Sequence, residues 1–88
     1  MAQVWLVTGS SRGLGRAIVE AGLLAGNKVL ATARDIESLR ELSERHGDQI
    51  KLFALDVTDE SAAASAVKAA IGAFGSLEVV INLSLIHI

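Results

Sequence analysis

Thr8-Gly9-Ser10-Ser11-Arg12-Gly13-Leu14-Gly15 sets three glycines between a strand-forming run, Val4-Trp5-Leu6-Val7, and a helix-forming one. Leu14, Ala17, Ile18, Ala21 and Leu24 recur at steps of three and four, which is helical spacing. A glycine-rich turn between a strand and a helix exposes backbone N–H groups at the positive end of the helix, where a phosphate can rest. Gly9 permits the tight turn. Gly13 lets the backbone approach a ligand with no Cβ in the way, and Gly15 lets the helix lie close to the strand. Ser10, Ser11, Arg12 and Leu14 complete the loop.

The rest of the chain repeats the alternation. The spacing predicts a first strand over Val4–Thr8 with Trp5 in the core, then helix A from near Gly13 to Ala25, stopped by Gly26-Asn27. Strand two is expected over Lys28–Ala33. Asp35 can cap helix B, which carries Ile36, Leu39 and Leu42 on one stripe and ends at Gly47. Strand three is expected over Ile50–Leu55. Thr58 or Asp59 can cap helix C, whose Ala63, Ala66, Val67, Ala70, Ile71 and Phe74 form a core stripe before Gly75. Strand four is expected over Glu78–Asn82. This βαβαβαβ pattern implies an α/β fold with a parallel sheet, the first half of a Rossmann-like doubly wound domain. Right-handed crossovers give strand order 3-2-1-4, with helices A and B on one face and helix C on the other. Ligands of such sheets bind at the carboxyl ends of the strands where the order reverses, which is where Gly9 and Asn82 fall.

Composition excludes several functions. The net charge is −2 with no basic block, which argues against nucleic acid or an anionic membrane as partner. There is no Cys, so no disulfide or thiolate-metal framework exists. The first apolar run is too short for a signal peptide or a membrane span, so the expected location is the cytoplasm. Apolar residues make up 51% of the chain and aromatics only 3%, so the core must be aliphatic and alanine-rich. His46, near the end of helix B, suits the negative end of a helix dipole.

The spacing Thr-Gly-x-x-x-Gly-x-Gly resembles the cofactor motif of the short-chain dehydrogenases/reductases, and the resemblance extends from Gln3 to Asn82. It implies a dinucleotide cofactor, a small carbonyl or alcohol substrate and a homo-oligomeric parent. Arg34 follows strand two, where the adenosine ribose of a dinucleotide lies. Aligned on the family, the acid that selects NAD falls at Ala33. Arg34 and Arg12 instead offer cations to a 2′-phosphate, as in members that prefer NADP over NAD. In the family an Asp at the end of strand three binds the adenine amino group, and Asp56, followed by Val57, matches it. Asn82 matches the first residue of the family's Asn-Asn-Ala-Gly motif beside the nicotinamide.

After Asn82 the match stops. Leu83-Ser84-Leu85-Ile86-His87-Ile88 replaces Asn-Ala-Gly and its continuation. The codons CTG-TCT-CTT-ATA-CAC-ATC for that string are the end of a transposon adapter, so residues 83–88 are expected to be a non-native tail on a partial domain of residues 1–82. Ser84 and His87 therefore do not form a nucleophile–base pair. The family's catalytic Ser and Tyr-x-x-x-Lys lie downstream of strand four, and this chain contains no Tyr, so it is expected to be inactive alone. A non-catalytic cofactor sensor or scaffold on the same fold is the alternative. A methyltransferase is disfavoured because no acid ends strand two, and a P-loop NTPase because no Gly-Lys-Ser/Thr follows the glycines.

Overall fold

Each strand is a short, largely apolar run, as suits a parallel sheet with helices on both faces. The computed structural model of the protein describes residues 2–8, 13–33, 35–54 and 60–82, without the side chains of 60–63 and 82. The strands are β1 (Val4–Thr8), β2 (Lys28–Ala33), β3 (Ile50–Ala54) and β4 (Val79–Asn82). The helices are α1 (Gly13–Leu24), α2 (Arg40–His46) and α3 (Glu60–Phe74). All pairings are parallel and the order is β3-β2-β1-β4, as the alternation predicts. The expected caps at Thr58 or Asp59, and the end of strand three at Leu55, lie outside the described residues.

Register explains the two cores. Val7 pairs with Ala31 and with Ile81, and Ala31 pairs with Leu52, so one apolar row crosses all four strands. This row faces α1 and α2, where Val19, Leu23, Leu39 and Leu42 close over it. The adjacent row, Lys51–Leu30–Leu6–Val80, faces α3. Ala66 and Ala70 of α3 bury Leu6 and Leu30, but the two ends of the row are exposed. The β3 edge ends in a lysine there, while the β4 edge ends in Val80, which is 55% exposed. Ile71, expected on the α3 core stripe, is exposed, because the helix centres its small residues Ala66 and Ala70 on the strands and leaves Ile71 at the margin.

The inner face of α1 is not the one its apolar letters suggest. Leu14 and Leu24 are exposed, and so are Ala17 and Ala21; Gly15, Val19, Gly22 and Leu23 are buried. Trp5 is the cause. Its ring lies against Gly22, where a Cβ would come within 2.9 Å of Cε3. The helix approaches β1 through its glycines, to which a hydrophobicity pattern gives no weight.

Gly26 ends α1 at a φ of +88°, with its N–H donating to the Leu23 carbonyl and that of Asn27 to Gly22. Gly47 and Gly75 follow α2 and α3. Asp35 does cap, but onto a 3₁₀ turn over Ile36–Leu39 rather than directly onto an α-helix: its carboxylate accepts from the Glu37 N–H at 3.0 Å. The Ser38 hydroxyl also donates to the Asp35 carbonyl at 2.9 Å. Such local bonds compete with α-helical pairing and delay α2 to Arg40.

The amino ends of the strands are cross-tied. The Glu78 carboxylate accepts from the Val4 N–H at 2.7 Å, and the Gln49 amide donates to the carbonyls of Leu23 and Asn27 at 2.8 and 2.9 Å.

Candidate functional site

Because all strands run the same way, Thr8, Ala33, Ala54 and Asn82 end at one rim of the sheet. Thr8 pairs with Asn82, so the ends of β1 and β4 lie side by side. The order reverses between these two strands, since β2 joins β1 on one flank and β4 on the other. At that junction the chain leaves β1 and returns as α1 at Gly13.

Gly13 has a φ of +60°, a conformation that a residue with a Cβ adopts only under strain. A Cβ placed on it would meet no atom of the described residues within 4 Å. Leu14 is 63% exposed beside it, and Gly15 is buried. The first turn of α1 carries no acidic residue, so no side-chain carboxylate of that turn neutralises the positive end of the helix. A permissive glycine and an uncompensated helix end together suit an anion such as a pyrophosphate.

Of the residues singled out by sequence, the structure brings Gly13, Leu14 and Gly15 to the same rim as the backbone of Asn82. Gly9, Ser10, Ser11, Arg12, Arg34, Asp56 and Val57 lie outside the described residues. By connectivity, 9–12 join β1 to α1, Arg34 follows Ala33 at the end of β2, and Asp56 stands two residues beyond the end of β3.

One residue near the site escaped the sequence reading. Arg16, in the first turn of α1, donates from Nε to Glu20 at 3.2 Å and from Nη1 to the Ser38 carbonyl at 2.9 Å, and pairs through Nη2 with Glu41. The signal was there: a cation at the positive end of a helix is unfavourable unless something else holds it. Among the described residues no group of three or more His, Cys, Asp or Glu could hold a metal ion, and no helix is long and apolar enough to cross a membrane.

This arrangement recurs in known proteins. The family model for short chain dehydrogenase matches residues 3–84. Oxidoreductase BOA17 of Botryotinia fuckeliana is 48% identical over 83 residues, an alignment that covers 93% of this chain and 30% of the relative. The 3-ketoacyl-(acyl-carrier-protein) reductase of Brucella melitensis, solved with NADH, superposes with a TM-score of 0.80 at 28% identity over 89% of this chain and 32% of its own. A metagenomic short-chain oxidoreductase, solved with NADP, gives 0.78 at 34% identity, covering 89% and 37%. The chain thus spans about a third of the length of the relatives it matches. On this match, with the sheet order and the glycine turn that accompany it, the chain belongs to the short-chain dehydrogenase family of oxidoreductases.

Proposed function

We propose that this chain is the NADP(H)-binding part of an oxidoreductase that moves a hydride between a nicotinamide ring and a carbonyl or alcohol substrate. The observation that carries the reading is the start of α1: Gly13, at positive φ, stands at the reversal between β1 and β4. The N–H groups of the glycine loop, Gly9 to Gly15, hold the pyrophosphate. Arg12 and Arg34 take the 2′-phosphate, Asp56 with Val57 beside it takes the adenine, and Asn82 lines the nicotinamide side. When bound, the cofactor supplies the hydride chemistry, and the protein supplies placement. The full protein works in the cytoplasm as a homo-oligomer.

Solved relatives carry either NADH or NADP, so the preference for NADP rests on the two arginines and on Ala33 standing where an acid would favour NAD. A charge-assisted contact to phosphate contributes about 1.5–3 kcal/mol, roughly tenfold or more in affinity. In the full-length protein, Arg34→Ala is therefore expected to raise the KM for NADPH by about tenfold and to leave NADH nearly unchanged. Equal loss with both cofactors, in steady-state kinetics, would show that Arg34 acts structurally.

The same reading treats Leu83–Ile88 as foreign to the protein. Resequencing the source locus is expected to replace it with a continuation close to Asn-Ala-Gly. The same codons in an independently prepared library would contradict this.

A further inference from the structure

Arg16 directly follows Gly15, on the helix that receives the glycine loop. Its guanidinium does not point into solvent: the side chain is only 25% exposed and reaches three acceptors on two parts of the fold. Glu20 is on its own helix. The Ser38 carbonyl and the Glu41 carboxylate belong to the turn and the helix that follow β2. Behind Ser38 the bonds continue, since its hydroxyl donates to the Asp35 carbonyl while the Asp35 carboxylate accepts from Glu37. One planar fork therefore ties the first turn of α1 to the segment that begins two residues after β2.

Those are the two segments that, on the proposed dinucleotide reading, take opposite ends of the ADP-ribose half: the pyrophosphate at α1 and the 2′-phosphate after β2. A ligand that spans both needs them at a fixed separation. We propose that Arg16 is a positioning residue that sets this separation, and so governs affinity and 2′-phosphate discrimination without touching the cofactor. The two carboxylates explain how a cation is tolerated at the positive end of α1. The carbonyl contact explains why an arginine is needed: a lysine offers one compact charge and no fork.

The inference rests on the dinucleotide reading and separates from it experimentally. In the full-length protein, dissociation constants are measured by calorimetry for 2′-phospho-ADP-ribose, which carries both the 2′-phosphate and the pyrophosphate that spans to α1, and for the short ligand adenosine 2′-phosphate, which lacks the pyrophosphate. Arg16→Lys keeps the charge and removes the fork. It is expected to weaken the spanning ligand by about tenfold, the loss of one charge-assisted contact, and the short ligand by less than about twofold. Glu41→Gln, which loosens the fork from the other side, is expected to show the same pattern more weakly. Equal losses for the two ligands, or wild-type affinity for both in Arg16→Lys, would overturn the positioning role. If the wild-type protein binds neither ligand, the dinucleotide reading itself fails, and Arg16 has nothing to position.

Discussion

Replacing Gly22 by valine is expected to lower folding stability by about 3 kcal/mol or more, at the upper end for overpacking a filled interior. A Cβ at this position lies 2.9 Å from Cε3 of Trp5 and 3.0 Å from Cζ3, and valine adds two methyl groups beyond it. The indole is partly buried. It packs against the core cluster of Val7, Val19 and Leu23, and its Nε1 donates to the Gln3 side chain at 3.4 Å. Glycine in a helix interior is ordinarily a liability of about 1 kcal/mol relative to alanine. The sign of Gly22→Ala therefore separates the two effects. With Trp5 present, the clash outweighs the gain in helix propensity. In a Trp5→Ala background the clash is gone, and the same substitution is expected to stabilise by up to about 1 kcal/mol. Denaturant midpoints of the four proteins in this cycle check the claim, and a stabilising Gly22→Ala beside an intact Trp5 would contradict it.

The second large effect concerns the 88-residue chain on its own, which is expected to self-associate and to show no NADPH oxidation with any carbonyl. Among the described residues β4 lies at the edge of the sheet and pairs with β1 alone. Its four residues, Val79–Asn82, include no charge and no proline, the usual guards of an exposed edge. Val80 stands at the end of the row that faces α3 and is left exposed there, and Ile71 of α3 is exposed as well. The opposite edge is built differently, because β3 places Lys51 in the row that ends in Val80. Oligomers or precipitate in size-exclusion chromatography with light scattering are the expected result. A stable monomer that unfolds cooperatively would show that β4 needs no neighbour. The expected inactivity rests on the family resemblance, which implies a tyrosine as acid/base, and on a sequence that has no Tyr.

The contrast between the two edges was only half legible in the sequence. Strand boundaries and order followed from local punctuation. Gly26, Gly47 and Gly75 each precede a strand by a few residues, and right-handed crossovers then leave one order for the sheet. β1 and β2 span the residues expected of them. What a pattern of apolar letters could not show is how closely elements approach. In α1 Gly15 and Gly22 are buried while Leu14 and Leu24 are exposed, because a bulky indole on the strand is matched by a missing side chain on the helix. Pairwise geometry of this kind is set by residues far apart in sequence.

The candidate site was legible to the same depth. The glycine spacing pointed to the start of α1, and Gly13 does adopt a conformation that favours glycine. The part played by Arg16 was hidden, because its carbonyl partner, Ser38, is 22 residues away and leaves no mark on the local sequence. Asp35 was visible as a cap from its position alone, but the 3₁₀ turn that it initiates depends on the Ser38 hydroxyl bond behind it.

On the proposed function, the turn between β1 and α1 holds the pyrophosphate of a dinucleotide whose 2′-phosphate is read by arginine. Calorimetric titration of the full-length protein with NADP⁺, NAD⁺ and S-adenosylmethionine tests it most directly. One site per chain is expected, with NADP⁺ bound about tenfold or more tighter than NAD⁺ and no binding of S-adenosylmethionine. Binding of S-adenosylmethionine, or the absence of binding by either dinucleotide, would contradict it.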